Sequence, residues 1–358
     1  MLGRGSSGRA AAAELVRRGF SVEFAEGFDV VVASPGVPVK SELQLGCEEL
    51  KRRGWKLLAV TGSKGKSSVV KAVADAINLA GGRAVPCGNY GRPVCELVGE
   101  EPGWAVVEVS SFQLETTQLA AGTFEAAALL NVQEDHLDRH GDITVYHSLK
   151  RRLSSMAKKF FDSVPDPADA GRLVAGSYFD NGVLRANGAY AVALMRTAGL
   201  DDVQIRRAFE AFEPLPHRFQ TVGEFGGVRF MDDSKATSIE ALAAGVAMCG
   251  ASPVRLIAGG LLKGDDPKNA VPILTERVKK VYLIGQGAET LSAAWGKAAD
   301  CEVCGTLARA VECATRDAVS GETVLLSPGA ASFDQFQNFG ERGDVFAGLA
   351  TKEGQRKK

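Results

Sequence analysis

The spacing of apolar and polar positions divides the chain into two series of elements. Residues 57–61 (LLAVT) form a short apolar run, 66–80 (KSSVVKAVADAINLA) place apolar residues at helical spacing, and 104–109 (WAVVEV) return to a β-branched run. Strand, helix and strand in this order mark parallel α/β units, whose strands are covered on both faces and so read as nearly continuous apolar stretches. A second series opens after Pro216 with VRFMDDS, the Ala-rich stretch 239–249, VRLIAGG, VKKVYLIGQG and ETVLLSPGAAS. It predicts an independent doubly wound sheet of about 140 residues. Between the series, 151–186 includes the polar, proline-broken FDSVPDPADAGR, read here as a boundary or eroded region that carries no chemistry. At the N-terminus, Gly3, Gly5 and Gly8 have the spacing of a strand-to-helix turn ahead of an Ala-rich helix, and FDVVVASPGVP is expected to be a strand ending in a turn. A βαβ unit takes about 30 residues or more, so residues 1–55 hold little beyond one.

Composition narrows the classes. The 358 residues, 45% of them apolar, are enough for two or three domains with cores of their own. Lys and Arg number 42 against 43 Asp and Glu, a formal charge of -1, so no global basic field exists to hold nucleic acid or an anionic membrane. No run of 18 apolar residues and no signal-type stretch occur, which leads to an expectation of a cytoplasmic chain with no membrane insertion. The seven cysteines are scattered and odd in number, as expected of reduced thiols. Cys301 and Cys304 form a CxxC with neither a second pair nor a histidine at zinc spacing, and are read as chance spacing on a strand edge.

The strongest local signal for chemistry is VTGSKGKSS at 60–68, set between an apolar run and an amphipathic helix. Such a glycine-rich turn directs backbone N–H groups at a polyphosphate, with Lys66 reaching the terminal phosphates and a hydroxyl following it for Mg2+. The match is partial, because the glycine expected five positions before Gly65 is replaced by Val60. Downstream, VEVSSFQLE ends a strand with Glu108, and NVQEDHLDRHG ends another with Asp135 and His136. Strand ends converge on one crevice in a doubly wound sheet, so Lys66, Glu108 and His136 are candidates to face a single nucleotide, the last two as ligands of Mg2+.

With these motifs in place the chain resembles the Mur ligases of peptidoglycan synthesis, and within them the D-glutamate-adding branch. The resemblance rests on TGSKGKS, CGNYG at 87–91, SSFQLE at 110–115, NVQEDHLDRHG, PHRF at 216–219, DDSKAT at 232–237 and LLSPGAASFDQFQNFGERG at 325–343. It implies an α/β protein of three-domain architecture: a shortened, Rossmann-like N-terminal domain at 1–55 for the UDP-linked substrate, a central P-loop ATPase-like parallel sheet at 56–215, and a Rossmann-like C-terminal domain at 216–358. The implied enzyme is a monomer that uses ATP and Mg2+ to join D-glutamate to UDP-N-acetylmuramoyl-L-alanine through an acyl phosphate.

The same resemblance assigns roles by position. Gly62, Ser63, Lys64, Gly65, Lys66, Ser67 and Ser68 would cradle ATP, with Asn187, Arg218 and Asp233 as further contacts, Arg218 on a phosphate and Asp233 on the ribose hydroxyls. Ser67, Glu108, His136 and a carbamylated Lys150 would hold Mg2+, and Lys66, Lys150, His136 and Lys235 are the implied catalytic set. Ser6, Ser7, Ser34, Pro35, Gly36, Asn89 and Ser110 would contact the UDP-linked substrate, and Thr237, Lys263, Ser332 and Phe339 the D-glutamate. Departures from the family pattern are Lys64 in place of an Asn, the reduction of a His-Asn-x-x-Asn stretch to Asn187, and the shortness of 1–55 and 151–186. A homologue that binds nucleotide or precursor without turnover is the alternative these departures leave open, with a sister ligase of the folylpolyglutamate synthase type beside it.

Overall fold

The computed structural model describes residues 6–19, 22, 40–133, 139 and 141–356. They divide into two compact units, with the change of unit after Phe212 and residues 181–183 counted with the second.

In the first unit, helices α1 (Ser6–Arg17) and α2 (Glu42–Arg52) precede strand β1 (Lys56–Thr61). Helix α3 (Lys66–Leu79), strands β2 (Ala84–Gly88) and β3 (Trp104–Glu108), helix α4 (Ser111–Thr116) and strand β4 (Ala126–Leu129) follow. The strands lie in the order β2, β3, β1, β4 with a two-residue edge strand, β5 (Phe160–Phe161), and every pairing is parallel. Val60, Ala105, Val107, Ala126 and Ala128 are fully buried, as strands covered on both faces require. Leaving β1, the chain builds β2 and β3 on one side and then crosses to β4 on the other. The C-terminal end of β1 is therefore a topological switch point, where such sheets bind ligands.

Residues 151–186, read as a boundary or eroded region, carry regular elements. Beyond β5 they form α6 (Pro167–Val174), after α5 (Ile143–Arg151). The prolines that suggested a break are used where a helix accepts them: Pro167 sits in the first turn of α6, and Asp166 caps it by accepting from Asp169 N. The unit closes with α7 (Arg185–Thr197) and α8 (Asp202–Glu210).

The Ala-rich helix expected near the N-terminus is α1, whose Ala10 and Ala11 pack on Leu45 and Cys95. Arg18, just past its end, reaches Glu49 of α2 at 3.0 Å. The strand expected at FDVVVASPGVP lies outside the described residues.

The second unit is a six-stranded sheet. Its members in chain order are β6 (Gln220–Phe225), β7 (Val228–Asp232), α9 (Ile239–Met248), β8 (Val254–Gly259), α10 (Val271–Arg277), β9 (Val278–Ile284), α11 (Ala288–Trp295), β10 (Cys301–Gly305), α12 (Leu307–Asp317), β11 (Thr323–Leu326) and α13 (Phe339–Arg356). The spatial order is β10, β9, β8, β11, β7, β6, with only β6 antiparallel. One face packs on Leu242, Val246, Leu291 and Trp295, the other on Val311, Ala314, Phe346 and Ala350. Doubly wound sheets bury both faces in this way.

Candidate active site

Strand register brings the candidates of the first unit together. Glu108 at the end of β3 is paired with Val60, and Leu129 at the end of β4 with Thr61, so Gly62 emerges between the two neighbouring strand ends. Gly62 and Gly65 take φ of 150° and 84°, and Gly65 is the N-cap of α3 in the left-handed region. Only glycine enters that region without steric cost, and here the loop folds back to start a helix whose first amides point at the turn.

Asn131 fixes the loop from the side. Its Oδ1 accepts from Lys64 N at 2.9 Å, its Nδ2 donates to Lys64 O at 3.0 Å, and its backbone carbonyl accepts from Ser63 N at 3.0 Å. Asn187 of α7 closes the other side, since a Cβ on Gly65 would lie 2.3 Å from Asn187 Nδ2. Ser63 Oγ bonds Gln133 O and the Tyr146 hydroxyl at 3.1 and 3.2 Å.

Two lysines converge on the carbonyl of Gly62. Lys66 Nζ donates to Gly62 O at 2.8 Å and Ser63 O at 3.0 Å, lying over its own loop. Lys150 on α5 is almost wholly buried, donates to Gly62 O at 3.0 Å and stands 4.3 Å from the centre of the Tyr146 ring. Only the resemblance singled out Lys150 in the sequence. The structure buries it because α5 turns Tyr146 and Lys150, one helical turn apart, toward the loop.

Glu108 is buried at the crevice. Its Oε1 accepts from Asn89 Nδ2 at 2.8 Å, and Oε2 has no hydrogen-bond partner among the described residues. A buried carboxylate oxygen with no donor is costly on its own, and a hard cation fits that place. Asn89 is thus a neighbour of Glu108. Ser110 caps α4, with its hydroxyl accepting from Gln113 N and its own N–H donating to Gln113 Oε1. Ser6 and Ser7 open α1, whereas Ser34, Pro35, Gly36 and His136 lie outside the described residues.

The second unit gathers its candidates at the ends of β7, β8 and β11, around a strained turn. His217 and Phe219 take φ of 61° and 50°, positive values with side chains present, on either side of Arg218. Paired aspartates hold the turn. Asp232 Oδ2 lies 2.7 Å from His217 Nδ1, Asp233 Oδ1 accepts from Phe219 N at 3.1 Å, and Lys235 N donates to His217 O at 3.0 Å. Gly343 of α13 makes room, because a Cβ there would lie 2.1 Å from His217 Nδ1. Asp233 also accepts from Ser327 Oγ at 2.9 Å, and burial pushes its carboxyl up to about 7.

Lys235 Nζ stands 4.0 Å from the centre of the Phe339 ring, and Lys263 Nζ lies 3.5 Å from Thr237 Oγ1. Ser332 is buried next to the Leu261–Ala331 bridge that ties the β8 and β11 loops together. Beneath Phe339, Arg342 is buried. It donates to Ser234 Oγ at 3.0 Å, Ser234 O at 2.9 Å and Ala330 O at 3.1 Å, and burial lowers its pKa to about 10. Sequence reasoning missed Asn131, Tyr146, Asp232 and Arg342. Asn131, Asp232 and Arg342 lie in quoted motifs and Tyr146 one turn before Lys150, but their work is done on partners distant in the chain.

Residues 60–161 match the Mur ligase middle domain, and 217–329 match the Mur ligase glutamate ligase domain. The chain is 36% identical over 335 residues to a UDP-N-acetylmuramoylalanine--D-glutamate ligase of Nitratidesulfovibrio vulgaris, covering 88% of this chain and 76% of the relative. It is 35% identical to the ligase of the same name from Gloeobacter violaceus, covering 89% and 80%. Among solved structures it is similar to a MurF ligase from Thermotoga maritima in complex with ADP, at a TM-score of 0.63 and 18% identity over 97% of this chain and 92% of that one. A bifunctional folylpolyglutamate synthase/dihydrofolate synthase from Yersinia pestis follows at 0.57 and 17%, covering 88% and 95%. At such identities the structural likeness speaks for the fold.

Proposed function

The chain belongs to the Mur ligases, and from that premise we propose that it is the ATP-dependent ligase that adds D-glutamate to UDP-N-acetylmuramoyl-L-alanine. In this reading the L-alanyl carboxylate attacks the γ-phosphorus of ATP, giving an acyl phosphate and ADP. The amine of D-glutamate then attacks the acyl carbon, an amide C–N bond forms, and phosphate leaves as the amine gives up a proton. The observation that carries the reading is the crevice at the end of β1, where a phosphate loop, two lysines on one carbonyl and the bare oxygen of Glu108 meet. Transfer of a phosphoryl group between anions needs cations and fixed amides more than any covalent partner from the protein.

Lys66 and the amides of 62–68 would hold the β- and γ-phosphates. Ser67, Glu108, His136 and a carbamate on Lys150 would hold Mg2+, which supplies positive charge against that growing on the phosphate oxygens. The carbamate forms when CO2 adds to the neutral Lys150 amine with loss of one proton. Asn187, Arg218 and Asp233 would contact the nucleotide, Asn89 and Ser110 the muramoyl substrate, and Lys235, Thr237, Lys263, Ser332 and Phe339 the acyl phosphate and D-glutamate. A residue such as Lys263 suits a dicarboxylate through charge-assisted hydrogen bonds. No helix among the described residues is long and apolar enough to cross a membrane. The proposed enzyme acts on its precursors as a cytoplasmic monomer.

The test is phosphate release from ATP with UDP-N-acetylmuramoyl-L-alanine, with and without D-glutamate. Release that requires both substrates supports the reading. Nucleotide binding with no release under any combination would leave a binding homologue instead.

A further inference from the structure

We propose that Glu302, Cys304 and Cys313 form a binding site for one thiophilic divalent cation of the Zn2+ type, fastening the edge strand β10 to helix α12. The three side chains offer ligand atoms that all lie within 4.8 Å of one another. Cys313 Sγ is 3.3 Å from Glu302 Oε1. In a tetrahedral site with Zn–S near 2.3 Å and Zn–O near 2.0 Å, sulfur and oxygen stand about 3.5 Å apart, so this pair already has the separation a shared cation needs. Two sulfurs and one carboxylate leave a fourth position for water.

The site differs from what the CxxC spacing suggested. The register of β10 shifts between Val303 and Gly305, and across this irregularity Glu302 and Cys304 both lie toward Cys313 while Cys301 takes the other side. Cys301 packs against the cluster of Trp295 and Val278 and bonds Ala299 O at 3.4 Å. Cys304 packs in the opposite cluster, which contains Cys313 of α12. The partner of Cys304 is thus nine residues along, across a strand-to-helix turn.

The charges around the cluster leave Glu302 Oε1 to the thiols. Lys280 takes Glu302 Oε2 at 2.8 Å and is shared with Asp317 Oδ2 at 3.3 Å. Burial pushes the Cys304 thiol up to about 12 and raises that of Cys313. A coordinated cation would displace their protons. The edge position gives such a cation structural work, since β10 is paired on one side only and α12 is what covers its inner face.

The test uses the full-length protein, reduced and freed of metal, titrated with Co2+ and then with Zn2+ against a chromophoric chelator. One equivalent of Co2+ should give a near-ultraviolet thiolate-to-metal charge-transfer band, which Zn2+ displaces. Any Mg2+ site built from oxygen and imidazole gives no such band. Cys304→Ser, at a half-buried position, should abolish the band and weaken Zn2+ binding by more than the roughly 10–100-fold that outer-shell changes cause. Cys313→Ser should do the same; it is fully buried, so Glu302→Gln serves as a second, milder variant, expected to weaken binding while keeping the band. Cys301→Ser should leave both unchanged. Absence of the band in the unmodified protein, its survival in Cys304→Ser, or its loss in Cys301→Ser would each overturn the proposal.

Discussion

Gly65 turns the chain into the first unit's phosphate loop at φ 84° with no side chain to strain, whereas His217 and Phe219 of the second unit adopt 61° and 50° with side chains in place. The first turn is held by backbone permissiveness, with Asn131 clamping one side and Asn187 closing the other. The second is held against its own preference by Asp232, Asp233 and the gap left by Gly343. A loop that must approach a polyphosphate needs bare backbone. A turn that presents an arginine tolerates strain when neighbouring carboxylates hold it. Both turns lie by the C-terminal ends of parallel strands, one leaving β1 and the other entering the antiparallel β6 beside β7, and the first is set by composition, the second by side-chain contacts.

The largest effect should come from the first unit. Lys66→Ala is expected to lower the rate of ATP-dependent phosphate release by about a hundredfold or more, the usual cost of removing one group that stabilises charge in the transition state. A variant that keeps more than about a tenth of the rate would remove the phosphate loop from the mechanism and with it the contrast between the turns. Lys150→Ala should also abolish turnover, and bicarbonate or chloride should restore part of it if a carbamate supplies negative charge there. Full activity without either would return Lys150 to a packing role.

In the second unit, Arg342→Met should cost about 2 to 4 kcal/mol in chemical denaturation, because Ser234 O and Ala330 O lose their donor in a buried place. No loss of stability would show that the region under Phe339 is not held by Arg342.

Gly65→Ala separates two contributions at the other turn. The left-handed backbone costs an alanine about 1–2 kcal/mol, and the added Cβ meets Asn187 Nδ2. Adding Asn187→Ala should recover the contact part and leave the backbone part. Complete recovery in the double variant would mean that φ at this position carries no cost.

A test along a different axis, pH, concerns Asp233. Its folded carboxyl titrates near 7 rather than 3.8, so the fold binds this proton more tightly than the unfolded chain does. The contribution to stability is full below about 4 and is lost as pH rises to about 7. Asp233→Asn should flatten the fall in stability across that window, followed as denaturation midpoints. An unchanged slope would assign the pH dependence to other groups.

The phosphate loop was legible because its requirements are local: glycine at φ 84°, a lysine and hydroxyl after it, an apolar strand before. The rhythm of both sheets was legible for the same reason, since burial on both faces writes itself as apolar runs. Residues 151–186 were misread because prolines were taken as breaks, while tertiary structure used Pro167 to start a helix and Phe160–Phe161 to extend a sheet. Likewise the sequence offered Cys301 with Cys304 by spacing, and the irregular end of β10 together with α12 brought Cys304 to Cys313 instead.

By itself, then, the sequence determined which segments become strands and helices, where phosphate is to be met, and which family the motifs resemble. Tertiary structure alone decided that Lys150 is buried against Gly62, that Glu108 keeps one oxygen without a donor, and that Asp232 rather than a neighbour in the chain holds His217. The physical reason is range. Backbone conformation and apolar periodicity are set within a few residues, whereas desolvation and hydrogen-bond partnership depend on which distant segments the fold brings together.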